Sequence, residues 1–278
     1  MNINRDFIHQ LVINFYESIM KDGQLCEFSD TLPENGSYDN ITYQKIYALR
    51  FIPAYYFEYC ILADELKSRL LPHGPYTINI ASFGCGLYPD YYALSHNMDG
   101  INFHYTGYDV CPWESRALLP AHTGNITFNN ASIDDIRQDE INQYDVFIFP
   151  KSLGDIAANG DLDAFAEKIA QTSKEKIFFL NSFISTEHRR NDHHINLFGV
   201  IDSALTRMDF RCADDRTKTY YNYQGENHSH GLKRINPNFD YPNILPICRD
   251  DCEARCNANK SPVFTNMFMN YQLLEYTR

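Results

Sequence analysis

Basic charge is scarce in this 278-residue chain: 24 Lys and Arg face 36 Asp and Glu, a net charge of −12. Nucleic-acid phosphates demand a basic face, so unaided binding to DNA or RNA is not expected. Arg189, Arg190, Arg207, Arg211, Lys233 and Arg234 offer the material for a local patch, and they read more simply as scattered, solvated charge. Long apolar runs are missing too. The longest, Phe51 to Ala63, is too short to cross a bilayer and contains Glu58, so no membrane partner is expected. No secretory leader stands out, because Arg5, Asp6, Glu17, Lys21 and Asp22 interrupt the opening residues. A cytoplasmic protein with eight reduced cysteines is the expectation. Repeats and low-complexity tracts are absent, and the length suits one large domain or a domain with an extension.

Aromatic residues, by contrast, are plentiful, with 20 Tyr and 19 Phe. Most belong to core and rim packing, and a tyrosine-rich cleft would suit a planar or cationic ligand.

Residues 76–94 read as a buried strand, a glycine-hinged turn and the start of a helix. Ile78, Ile80, Ala81 and Phe83 are apolar and partly β-branched, whereas Gly84 and Gly86 permit positive φ and close approach of a ligand to the backbone. Pro89 suits a first helical turn, and the helix N-terminus behind it offers N–H groups to an anion or polar edge. A second strand, Phe103 to Val110, carries Asp109 about 23 residues beyond Gly86. In dinucleotide-type βαβ units an acid at that distance accepts hydrogen bonds from ribose hydroxyls. The competing role for Asp109 is to cap a helix starting near Pro112 and Trp113.

Strands and helices go on alternating. Ile126–Phe128, Tyr144–Phe149 and Lys176–Ser182 read as strands, with a helix from about Asp161 to Thr172 between the last two. The expected fold is α/β: a Rossmann-like, doubly wound, mostly parallel sheet with helices on both faces and an antiparallel C-terminal strand from Thr265 to Glu275. Ligands on such sheets sit beyond the carboxyl ends of the strands. Gly84–Gly86, Asp109, Ser132–Asp135 and Pro150–Asp155 all fall at such ends.

Ala81-Ser82-Phe83-Gly84-Cys85-Gly86, then Gly107-Tyr108-Asp109, then Tyr144 to Phe149, resemble the successive blocks of Rossmann-like (class I) S-adenosylmethionine-dependent methyltransferases, over roughly residues 76–210. The resemblance implies S-adenosylmethionine as cofactor. It would run the methionine moiety along Gly84, Cys85 and Gly86, place Asp109 on the ribose, and set Ser132, Ile133 and Asp134 beside the adenine. Ser82, Tyr88 and Pro150 complete the implied cofactor set. Three positions depart from the common pattern: Ser82 stands where the family often has an acid, Tyr88 where it has a third glycine, and Pro89 where a dinucleotide loop would end in glycine. Lys151 and Asp155 fall where the family faces the transferred group, and either could orient or deprotonate a nucleophile. The Asp/Asn-Pro-Pro-aromatic tetrad of amino-methylating relatives shares only one proline with Phe149-Pro150-Lys151-Ser152. The implied activity is methyl transfer to a small molecule or protein side chain. Gly84 to Pro89 also faintly resembles the Gly-x-Gly-Pro-x-Pro turn of nicotianamine synthase-like aminocarboxypropyl transferases. A non-catalytic interaction module is the third reading.

Residues 1–70 read as a helical extension to a domain spanning 71–278. Phe7, Leu11, Val12, Phe15, Tyr16 and Ile19 recur at helical spacing, giving a helix from Asn4 to Met20. Thr42 is the expected cap of a second helix that Pro53 should kink or restart before it ends near Leu70. That stretch is apolar on nearly all sides, and either covers the cofactor cleft or serves as a stabilising or dimer surface.

A helix from Ile195 to Met208 and a strand from Thr217 to Tyr223 precede a long insertion at about 224–262, of a size usually found in lids and binding loops. His188, His193 and His194 cluster beforehand without a matching acidic triad. Within the insertion, Cys248, Cys252 and Cys256 stand at steps of four. On a helix they would share one face and could ligate zinc with His228 or His230; a redox pair or plain thiols are the alternatives.

Overall fold

The computed structural model describes residues 1–22, 38–73, 77–122, 124, 126–184, 192–216, 220–221 and 269–278; of 73, 184, 192–195, 220–221 and 269–270 it describes the backbone alone. Two helices lead: α1 (Arg5–Asp22) and α2 (Ile41–Leu70). Then follow β1 (Thr77–Phe83), α3 (Pro89–Asn97), β2 (Asn102–Asp109), β3 (Ile126–Asn130), α4 (Gln138–Ile141), β4 (Val146–Pro150), α5 (Leu153–Asn159), α6 (Leu162–Ala170), β5 (Lys176–Ile184) and α7 (Asp192–Arg207). Short strands β6 (Arg211–Cys212) and β7 (Tyr220–Tyr221) come before the closing β8 (Met269–Thr277).

The sheet runs β3-β2-β1-β4-β5-β8-β6, with β7 also paired to β8. Strands β1 to β5 are mutually parallel, and β8 is antiparallel to β5 and β6. Chain order reverses between β1 and β4, so the crevice beyond their carboxyl ends is where such a sheet takes a ligand.

Both faces of the sheet are covered, which is why its strands are apolar without alternation. Val146 and Ile148 of β4 join the core under α1, α2 and α3, while Phe147 and Phe149 join the core under α4, α6 and α7. In β5, Phe178 and Leu180 face the first core, Phe179 the second. Each such side chain contributes roughly 1.5–3 kcal/mol by leaving water.

Several local expectations shift. The second helix is capped by Asn40, whose side chain accepts from the backbone N–H groups of Thr42 and Tyr43, so Thr42 is the second helical residue and not the cap. Pro53 neither ends nor restarts it. The helix continues through Pro53 because its neighbours Ile52, Ala54, Tyr55, Tyr56 and Phe57 are buried, outweighing a cost of about 3 kcal/mol. Asn4 caps α1 through a bond from Phe7 N–H at 2.9 Å. The helix expected from Asp161 is α6, with Asp161 as its cap. The seven-residue α5, directly after the strand-end proline, is too short to show a period. Among the described residues the closing strand runs from Met269 to Thr277, and its expected start at Thr265 lies outside them. No helix among the described residues is long and apolar enough to cross a membrane.

Candidate functional site

A cavity of about 1530 Å³ opens beyond the carboxyl ends of β1, β2 and β4. It exceeds the roughly 300–1,000 Å³ of an ordinary small-ligand pocket, leaving room for a cofactor and a second molecule. The turn after β1 forms one wall. Gly84 and Gly86 have φ of 70° and 51°, which glycine alone adopts without strain. Space makes the same demand. A Cβ on Gly84 would lie 2.5 Å from Cβ of Ser152, and one on Gly86 would lie 3.2 Å from the Trp113 indole.

The N–H groups of this turn are directed at the protein and not at a ligand. Gly84 and Cys85 donate to the Tyr108 carbonyl at 2.8 and 3.1 Å, and Gly86 donates to Oδ2 of Asp109 at 2.8 Å. The turn's own donors are therefore already satisfied from within, and its glycines offer a ligand close approach and not N–H groups. Arg116 completes the clamp: its Nε donates to the Gly86 carbonyl at 2.9 Å while its guanidinium lies 4.5 Å over Phe128.

Asp109 ends β2 in the cavity wall. Its Oδ1 accepts from Cys111 N–H at 2.9 Å, an Asx-turn and not a helix cap. The 3₁₀ turn Glu114–Leu118 starts instead at Trp113, which has φ 44° and no side-chain cap. Burial raises the Asp109 carboxyl, and the N–H groups of Cys111 and Gly86 oppose that rise. A carboxylate has about four lone-pair directions, so two bonds from the backbone leave capacity for hydroxyls.

Of the residues singled out from sequence, Gly84, Cys85, Gly86, Asp109, Ser132, Ile133, Pro150, Lys151 and Asp155 share this cavity. Three do not line it. Ser82 is fully buried in β1. Tyr88 turns into the core, stacked on Tyr92 and against Phe128. Asp134 ties down α6 by accepting from Asp161 N–H at 2.9 Å. Ser132 caps the 3₁₀ turn Ile133–Asp135.

The far wall comes from α2 and the turn leading into it: Tyr38, Asp39, Tyr47, Ile52, Tyr55 and Tyr59. Tyr47, Tyr55 and Tyr59 belong to the helix read from sequence either as a cover for the cofactor cleft or as a stabilising or dimer surface, and they line the cavity. Lys151 closes the cavity between the two walls. Strand-end lysines commonly project to solvent, but the Lys151 side chain is 6% exposed and paired with Glu58 of α2, itself 0% exposed. Lys151 Nζ also reaches Ser182 Oγ at 3.2 Å and lies 4.4 Å from the Tyr55 ring centroid. Ser182 Oγ in turn meets Tyr59 Oη at 2.9 Å. Burial pushes the Glu58 carboxyl up to about 7, Lys151 pulling against it, and burial lowers the Lys151 ammonium, Glu58 pulling against that. Sequence held one signal for Glu58: a lone acid in the apolar run from Phe51 to Ala63.

Among the described residues no group of three His, Cys, Asp or Glu could hold a metal ion, and Cys60, Cys85, Cys111 and Cys212 are free thiols. Cys248, Cys252 and Cys256, with His188, His228 and His230, lie outside the described residues, as do the side chains of His193 and His194.

No protein-family model and no curated protein matches the chain. Solved structures do. The plantazolicin methyltransferase BpumL, bound to S-adenosylhomocysteine and a desmethyl substrate analogue, is 10% identical over 95% of this chain and 99% of its own, with a TM-score of 0.48. A Haloferax volcanii protein described as a putative methyltransferase, in complex with the Trm112 activator, is 14% identical over 79% and 97%, at 0.41. A phosphoethanolamine N-methyltransferase from Haemonchus contortus is 12% identical over 77% and 52%, at 0.43. At these identities each likeness is one of fold, and what the sheet itself establishes is a Rossmann-like α/β protein closed by an antiparallel strand.

Proposed function

We propose that the chain binds S-adenosylmethionine in this cavity and transfers its methyl group to a small molecule or a protein side chain. One observation carries the reading: the acid at the end of β2 and the glycine turn after β1 are hydrogen-bonded into a single wall, Gly86 N–H to Asp109 at 2.8 Å, at the sheet's switch point. The residues fit that cofactor. Gly84, Cys85 and Gly86 give the methionine moiety a backbone surface without obstructing side chains, Asp109 keeps lone pairs for the ribose hydroxyls, and Ile133 with Val110 offers apolar surface to the adenine. When bound, the cofactor supplies an electrophilic methyl carbon. The chain's own residues then align the acceptor, since methyl transfer needs a nucleophile in line with carbon and sulfur more than it needs a strong base. Lys151 and Asp155 stand at the acceptor end.

The net charge of −12 favours a small-molecule or protein acceptor over nucleic acid. Calorimetry with S-adenosylhomocysteine should give binding to the wild type, with Asp109→Ala weakening it about 30-fold, on the scale of about 2 kcal/mol for a buried charged hydrogen-bonding group. No binding, or an unchanged affinity in the variant, would remove the proposal. Product analysis separates the transferred group: S-adenosylhomocysteine accompanies methyl transfer, whereas methylthioadenosine would identify aminocarboxypropyl transfer.

A further inference from the structure

Glu58 stands in the middle of the longest helix, surrounded by Tyr55, Tyr56, Phe57, Tyr59 and Ile61, and no part of its side chain reaches solvent. A carboxyl group in such a place is costly, and stability alone would be served as well by an apolar side chain. Its Oε2 holds Lys151, and its Oε1 has no hydrogen-bond partner. Lys151 carries a second anomaly. It has φ of 60°, a left-handed conformation that a lysine adopts at a cost of order 1–3 kcal/mol and that persists only where the surroundings enforce it. Bonds from its N–H to the carbonyls of Phe149 and Ser182, together with the Glu58 pair, provide that enforcement. The ammonium meets Glu58, Ser182 and the Tyr55 ring, while the next residue, Ser152, packs on Gly84 and donates to the Phe83 carbonyl.

On the reading that the cavity takes S-adenosylmethionine, we propose that Glu58 is a positioning residue: it holds the Lys151 ammonium at the end of β4 and keeps that wall electrically neutral, so that a ligand with positive sulfur is accepted as readily as one without. The pair has few neighbours that titrate. Tyr55 and Tyr59 of α2 face it, Ser182 faces it from β5, and Asp90 of α3 acts on Tyr59. Burial raises both tyrosines beyond any working pH.

The test is the ratio of dissociation constants for S-adenosylmethionine and S-adenosylhomocysteine, by calorimetry from pH 6 to 9, in wild type, Glu58→Gln and Lys151→Met. The two ligands differ in a methyl group and one positive charge, so amino and carboxylate ionisation cancels in the ratio. A charge about 10 Å away, at an effective dielectric constant near 20, shifts affinity roughly tenfold. In Glu58→Gln the uncompensated lysine should disfavour S-adenosylmethionine roughly tenfold at the acid end of the range, where it carries its proton. In Lys151→Met the trend should reverse, S-adenosylmethionine gaining as Glu58 ionises. A doubly substituted Glu58→Leu/Lys151→Met protein, in which an apolar pair replaces the buried ions, should restore the wild-type profile. Ratios that track the wild type at every pH in both single variants would overturn the proposal. Failure of S-adenosylhomocysteine to bind the wild type would instead defeat the proposed function on which it rests.

Discussion

Two carboxyl groups, Asp90 of α3 and Glu58 of α2, are fully buried, and they are held in different ways. Asp90, in the first turn of α3 beneath the glycine turn, accepts from Tyr105 Oη at 2.8 Å and is pushed up to about 6 by burial, hydrogen bonds partly opposing. Glu58, on the tyrosine wall, faces the ammonium of Lys151. The first wall is thus braced by hydrogen bonds around β1, β2 and α3, most of them with a main-chain partner. The second is side chains projected from one helix, and its polar centre is an ion pair. A hydrogen-bonded acid can shed its charge by taking a proton, whereas an ion pair loses its balance when either partner is removed.

The sharpest way to break this comparison is to take one partner from the pair. Glu58→Leu should destabilise the fold by roughly 3–5 kcal/mol in denaturant titration, and adding Lys151→Met should recover most of it. A single substitution no worse than the double would mean that the two groups are not coupled. Asp90 responds to pH instead. Its folded pKa of about 6 lies above its ordinary 3.8, so its contribution is complete below pH 3.8 and is lost as pH rises through 6. Comparing unfolding free energies at pH 4 and pH 7, Asp90→Asn should remove about 3 kcal/mol of the wild-type decline. An unchanged decline would place the charge elsewhere. The smallest effect is expected at the turn. Gly84→Ala adds a Cβ 2.5 Å from Ser152 at φ 70°, and should cost about 1–3 kcal/mol of stability while weakening S-adenosylhomocysteine binding. A variant as stable as the wild type would show that Ser152 can withdraw.

The first wall was largely legible before any coordinates. A glycine pair after an apolar strand, and an acid one βα unit later, are local patterns whose spacing reports geometry directly: Gly86 N–H does meet Asp109 at 2.8 Å, and Gly84 N–H bonds the neighbouring Tyr108 carbonyl. Legibility failed within the same wall where a side chain had a choice of direction. Tyr88 belongs to the same turn, yet φ of 40° and stacking on Tyr92 send its ring into the core. Asp134 shares a 3₁₀ turn with Ile133 but serves the start of α6. Arg116, which clamps the Gly86 carbonyl, follows no spacing rule at all. Asn40 was passed over because Asn and Thr are both good caps two residues apart, and only the backbone decides which one stands outside the helix.

The sequence by itself determined the parallel sheet, its two buried faces and the set of strand ends that meet at the switch point, because apolar runs, glycine and chain order act through neighbouring residues. Tertiary structure alone decided what closes the cavity. Glu58 and Lys151 lie 93 residues apart, and nothing in either segment names the other. Their pairing exists because α2 packs over the same face of the sheet that carries Val146 and Ile148, leaving one carboxyl and one ammonium to neutralise each other where water does not reach.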